Sequence, residues 1–203
     1  MEQNLVERDV FSQSELLLVK DFLQELGYTF MPEVVTYGER GSGFIAPIFT
    51  QGDDKSWDSI NTWLCKLIYL KISKHFDIDE IYRINANLLT PIGKQLILAP
   101  HIDNETPHTV ALFYFSTEKE GVGETYLYEE KYDSSKYDNG LEQLMVKYPN
   151  GERLTVAEKI PCIENSVVYF DGLTYHSGSY PVNILKRLCI NVNFAGTPKH
   201  DNR

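Results

Sequence analysis

From residue 81 to residue 194 the sequence keeps breaking into short runs of β-branched and aromatic residues, each bounded by glycine, proline, asparagine or aspartate. The runs at 81–89, 95–99, 109–115, 125–129, 158–163, 166–170 and 186–194 have strand length and strand composition. Before them the pattern is helical. Residues 12–26 carry Ser12 and Glu15 as a capping box, then Leu16, Val19, Leu23 and Leu26 at helical spacing, with Gly27 as the stop. Residues 32–54, rich in glycine and with two prolines, read as strands and loops of unassigned pairing. Trp57, Ile60, Leu64, Leu67 and Ile68 predict a second helix over 56–76. Many short strands after two helices call for a mainly β, α+β chain. The expected fold is a double-stranded β-helix, the jelly-roll or cupin-like barrel, buttressed by the two helices.

A chain of 203 residues with 42% hydrophobic composition has enough apolar side chain for one core. It is read as a single domain, with a helical support over 1–80, the β core over 81–197 and a tail over 198–203.

Within the β region, His101 and Asp103 stand two apart, so on an extended backbone both side chains reach the same face. A further imidazole, His176, follows the Asp171-Gly172 turn, and Arg187 comes eleven residues after it. Two imidazoles and one carboxylate on one side of a metal ion leave positions open, the arrangement suited to non-haem Fe(II).

The order His101-x-Asp103, Gly123-Glu124-Thr125, His176 and Arg187, spread over residues 81–194, resembles the 2-oxoglutarate- and Fe(II)-dependent dioxygenases, nearest their prolyl 4-hydroxylase-like branch. The resemblance implies that His101, Asp103 and His176 bind Fe(II) and form the catalytic centre. It implies 2-oxoglutarate and O2 as co-substrates and brings in ascorbate as a further cofactor. Arg187 would hold the distal carboxylate of 2-oxoglutarate, and Tyr114 would add a hydroxyl to it. The Arg-x-Ser pattern of many relatives reads Arg187-Leu188-Cys189 here, which removes one hydrogen bond from that set. Asn85 and Asn87 alternate with Ile84, Ala86 and Leu88, so they share one face, which lines the cavity or meets solvent. His108 is given a supporting or surface place, and the two glycine turns a structural one.

The activity so implied is hydroxylation of a C–H bond, in a prolyl or other amino-acid side chain, coupled to decarboxylation of 2-oxoglutarate to succinate and CO2. A jelly-roll module that binds a metal or ligand without turnover is the competing reading. A cupin-like dioxygenase without 2-oxoglutarate would normally carry His-x-His. The substrate is expected to be a peptide or small molecule. A net charge of −10 and a pI near 5.0 argue against nucleic acid. No membrane span is expected, since Lys66 and Lys71 interrupt the most apolar stretch. Three widely spaced cysteines without a Cys-x-x-Cys pair, and no basic leader at the N-terminus, place the protein in the cytoplasm. Oligomeric state has no sequence signal. The polar insertion over 128–154 reads either as a lid that closes when substrate binds or as an uninvolved surface excursion. On the last strand, alternation turns Arg187, Cys189, Asn191 and Asn193 inward, and Lys186 away.

Overall fold

Strand β10 (Arg187–Pro198) runs through the middle of the larger of two antiparallel sheets, and its two faces separate the two cores of the protein. The computed structural model describes residues 4–32, 42–52, 62–94, 96–116, 123–133 and 154–199. Along the chain lie β1 (Leu5–Arg8), α1 (Gln13–Glu25), β2 (Thr29–Met31), β3 (Gly43–Thr50), α2 (Thr62–Ile72), β4 (Phe76–Leu89), β5 (Thr109–Tyr114), β6 (Thr125–Lys131), β7 (Val156–Ile160), β8 (Ser166–Asp171), β9 (Thr174–Gly178) and β10. The larger sheet has the order β1-β8-β5-β10-β4-β3-β2, and the smaller has the order β7-β6-β9.

On one face of β10, Leu188, Ile190, Val192 and Phe194 are buried in the same cluster as Leu16, Val19 and Leu23 of α1 and Leu64 and Ile68 of α2. Each such aliphatic side chain contributes about 1.5–3 kcal/mol by leaving water. The other face carries Arg187, Cys189, Asn191 and Asn193. Opposite Cys189 and Asn191 across the ladder stand Tyr114 and Leu112 of β5, followed by Val168 of β8. These meet Leu127 of β6 and Ile160 of β7 in a second cluster between the sheets. A slip of one residue would exchange the two faces, so the dry helical layer fixes the register of the polar one. This is the jelly-roll arrangement with helices against one sheet; the two sheets face each other without closing into one barrel.

Ser12 caps α1 as expected: Glu15 N donates to its Oγ at 3.4 Å, and Ser12 N donates to Glu15 Oε2 at 2.8 Å. The helix ends because Leu26 turns extended, at φ −62° and ψ 141°, so Gly27 is not needed as a left-handed cap. The end of α2 differs from the expectation. It stops at Ile72, and Phe76 opens β4, where its ring packs 5.2 Å from both Tyr169 and Phe194. Trp57 and Ile60 lie outside the described residues.

Of the expected strand over 95–99, the described residues 96–99 are not a strand. They touch the smaller sheet through one bridge, Ile97 to Ser179, before Pro100, which has no N–H to extend a ladder. Conversely β9, the strand that carries His176, was expected only as a turn and its sequel. Of the 128–154 insertion, the first residues are β6, and 134–153 lie outside the described residues. Among the described residues no helix is long and apolar enough to cross a membrane.

Candidate metal centre

His101 and His176 face each other as a hydrogen-bonded antiparallel pair: each backbone N–H donates to the other's carbonyl at 2.9 Å. Directly opposed residues project to the same side, and the two rings stand 4.6 Å apart between centroids. Each ring then places a nitrogen against its own backbone. His101 Nδ1 lies 3.2 Å from the Ala99 carbonyl and His176 Nδ1 lies 3.1 Å from that of Thr174. A carbonyl oxygen only accepts, so both protons sit on Nδ1, and both Nε2 lone pairs are left for another partner. Asp103, two residues after His101, brings Oδ1 to 3.8 Å from His101 Nε2 and Oδ2 to 3.9 Å from His176 Nε2. The three ligand atoms all lie within 4.8 Å of one another.

The protonation states suit a cation. Burial works against charge on Asp103, but the Arg83 guanidinium, both imidazoles and the Asn191 amide outweigh it and hold the carboxyl well below the usual carboxylate range. His176 is pushed down to about 4, first by burial and then by His101, against the pull of Asp103, so its ring is neutral at pH 7. Phe170 packs edge-on against it with centroids 5.0 Å apart.

Three residues of this centre carried no assigned role in the sequence. Asn191 and Asn193 each donate Nδ2 to Asp103 Oδ2 at 2.9 Å, and Arg83 Nη2 stands 3.0 Å from Asp103 Oδ1. Their signal was the polar alternation itself: Arg83 pairs with Asn193 and Asn85 with Asn191 across the β4–β10 ladder. Asn85 and Asn87 are half-buried on this same face, yet neither donates to the triad. His108 is buried beside the centre and is not one of the converging residues. Its Nδ1 meets the Thr106 carbonyl at 2.7 Å, and its Nε2 lies against Gly172, where a Cβ would approach to 2.2 Å.

At the other end of the face, Arg187 is 5% exposed. Its Nε donates to the Gly123 carbonyl at 2.7 Å, its Nη2 to Thr125 Oγ1 at 2.8 Å and its Nη1 to Cys189 Sγ at 3.5 Å. Tyr114 Oη shares Thr125 Oγ1 at 2.8 Å, and its ring lies 5.8 Å from the guanidinium carbon. The Gly123-Glu124-Thr125 turn therefore does more than reverse the chain: it supplies two acceptors. Gly123, at φ 69°, also leaves room for Arg187, whose Cδ would lie 3.1 Å from a Cβ there. Cys162 and Cys189 face the same cluster as neutral thiols, burial pushing Cys162 up to about 12. Among the described residues no carboxylate lies within 4 Å of the Arg187 guanidinium.

No protein-family model matches the sequence, and no curated protein matches it. Solved structures match at the level of the whole fold. The epimerase SnoN, in complex with Fe3+, alpha ketoglutarate and nogalamycin RO, superposes with a TM-score of 0.63 at 11% identity, over 94% of this chain and 78% of that one. A prolyl hydroxylase from Trichoplax adhaerens, in complex with a hypoxia inducible factor peptide, gives 0.57 at 17% identity, over 94% and 82%. HygX from Streptomyces hygroscopicus, with nickel, 2-oxoglutarate and hygromycin B, gives 0.56 at 13% identity, over 96% and 83%. The chain has the fold of the 2-oxoglutarate- and iron-dependent oxygenases. Within this oxygenase fold, the face shared by β4, β5 and β10 holds the His101–Asp103–His176 cluster at one end and the Arg187 guanidinium at the other.

Proposed function

We propose that the protein is an Fe(II)- and 2-oxoglutarate-dependent dioxygenase that hydroxylates a C–H bond while 2-oxoglutarate is decarboxylated to succinate and CO2. The observation that carries this reading is the pairing of two incomplete sites on one strand face. Asn191 holds Asp103, and Arg187 lies four residues earlier, about 13 Å along an extended strand. With the side chains reaching in from both ends, the remaining gap suits a five-carbon diacid. The cluster offers two imidazole Nε2 atoms and an ionised carboxylate, a donor set that fits Fe(II). The structural neighbours complexed with Fe3+ and alpha ketoglutarate, and with nickel and 2-oxoglutarate, support the same pair of ligands here.

In this reading His101 Nε2, His176 Nε2 and Asp103 hold the metal. Arg187 receives the distal carboxylate through the guanidinium N–H groups not already donated to Gly123 and Thr125, with Thr125 and Tyr114 hydroxyls beside it. Val110, Leu112, Val168 and Phe170 keep that pocket dry, which strengthens each charge contact. The metal with its co-substrates supplies the oxygen-activating chemistry. The residues of the chain orient the diacid and keep both imidazole protons on Nδ1.

The substrate is read as a prolyl or other amino-acid side chain in a peptide, or a small molecule; a peptide and hygromycin B accompany two of the structural neighbours. The chain is taken as one domain over 1–203, with ascorbate as an accessory reductant. The three free, buried cysteines fit a cytoplasmic setting. Oxygen consumption that needs both Fe(II) and 2-oxoglutarate, with succinate as product, tests the reading. It should vanish in Asp103→Ala without loss of fold. A protein that binds metal but never consumes 2-oxoglutarate is a binding module instead.

A further inference from the structure

We infer that Arg83 is a positioning residue that pairs with the one oxygen of Asp103 left for the metal and weakens the hold of the site on that metal. This rests on reading His101, Asp103 and His176 as metal ligands. A carboxylate offers two lone-pair directions on each oxygen. On Oδ2 both are taken, by Asn191 Nδ2 and Asn193 Nδ2 at 2.9 Å each. Asn193 Nδ2 also reaches Asn191 Oδ1 at 3.2 Å, which fixes which end of the Asn191 amide faces the carboxylate. Among the described residues Oδ1 accepts no such hydrogen bond; Arg83 Nη2 stands 3.0 Å from it as an ion pair. Asp103 is therefore set to ligate through Oδ1 alone, the oxygen nearer His101 Nε2.

Arg83 differs from the two asparagines in its charge. It sits on the very oxygen left for the metal, and it holds a full positive charge at any physiological pH. Asn191 and Asn193 orient the ligand without opposing a cation; Arg83 orients it and opposes one. Its side chain remains 33% exposed, while its buried Nε finds no hydrogen-bond partner among the described residues. Among the described residues the guanidinium has no charged or hydrogen-bonding partner other than Asp103.

Charge-removing and charge-keeping variants separate these effects. Cobalt(II) is titrated into the protein without 2-oxoglutarate, and the visible absorption of the bound ion gives Kd. Arg83→Gln and Arg83→Met should each tighten binding by about tenfold, the scale on which groups around a metal's ligands act, and Arg83→Lys should stay near the wild type. Two uncharged variants keep the test open should one misfold. Unchanged or weaker binding in the uncharged variants overturns the role given to Arg83 and leaves the metal site standing. A wild-type protein that takes up no cobalt overturns the metal reading, and this inference with it.

Discussion

The side-chain amide of Asn191 donates to Asp103 Oδ2 at 2.9 Å, tying the central strand of the larger sheet to the bend that carries the acidic member of the cluster. The contact joins the helix-backed core to the site. Leu188, Ile190, Val192 and Phe194 anchor β10 from one side, and that anchoring sets where Asn191 and Asn193 stand on the other. Replacing Asn193 with Leu should therefore loosen Asp103 and weaken cobalt(II) binding by about tenfold, opposite in sign to removal of the Arg83 charge. The same change removes one of the two hydrogen bonds on the carboxylate oxygen Asp103 Oδ2 and should cost about 1–3 kcal/mol in urea unfolding. Metal binding as tight as in the wild type would show that the asparagines do not orient the ligand.

Arg187 and Lys186 are adjacent cations with different surroundings. Arg187 is buried among Gly123, Thr125 and Tyr114, whereas Lys186 is half-buried just outside β10. Arg187→Ala should raise the KM for 2-oxoglutarate by on the order of a hundredfold, because a desolvated carboxylate loses a charged partner. Lys186→Ala should leave it within about twofold by the same reasoning. Steady-state kinetics on the two variants checks the ranking.

Gly172 touches the centre through His108. A Cβ at residue 172 would come within 2.2 Å of His108 Nε2, and the Gly172 N–H already donates to the His108 carbonyl at 2.8 Å. Gly172→Ala must push the ring or the turn before β9, and should cost about 1–3 kcal/mol, the usual scale of overpacking. Thermal unfolding reads it directly, and a melting temperature equal to the wild type would show that the ring yields freely.

Glu15 gives a prediction far from the site. Its carboxyl is held below the ordinary value chiefly by the hydrogen bond from Lys71 Nζ at 2.8 Å, with the Ser12 backbone N–H adding to it. A depressed folded-state pKa contributes stability that is present above the unfolded value and is lost as pH falls through the folded one. Glu15→Gln keeps a capping-box residue but removes the charge, so the variant should be less stable than the wild type near neutrality, by about 0.5 kcal/mol for a pair whose carboxylate is solvent-screened. The difference should close on acidification below the usual carboxylate range. Urea titrations at several pH values give the profile.

The parts legible in the sequence were those whose cause is local. The capping box of α1 is written in Ser12 and Glu15, and the faces of β10 follow from strict alternation of Arg187, Cys189, Asn191 and Asn193 with aliphatic neighbours. Phe76 misled because it fits the helical spacing of α2. Only its contacts with Tyr169 and Phe194, far away in sequence, put it in a strand. The strand β9 was obscured by its composition. Thr174 to Gly178 shows no apolar alternation because most of it is buried, and His176 is there held by a backbone bridge to His101. The place of Arg83 depends on register alone: it stands at the centre because it pairs with Asn193, whose own position β10 fixes. Its neighbours Asn85 and Asn87 share the face, but neither donates to the cluster.

The central claim, that one diacid bridges the His101–Asp103–His176 cluster and Arg187, is tested most directly by titrating 2-oxoglutarate calorimetrically into the cobalt(II)-loaded protein without oxygen. One molecule should bind per chain, with binding lost when cobalt is withheld and again when Arg187 is replaced by Ala. Binding that survives both changes, or none to the loaded wild type, would contradict the claim.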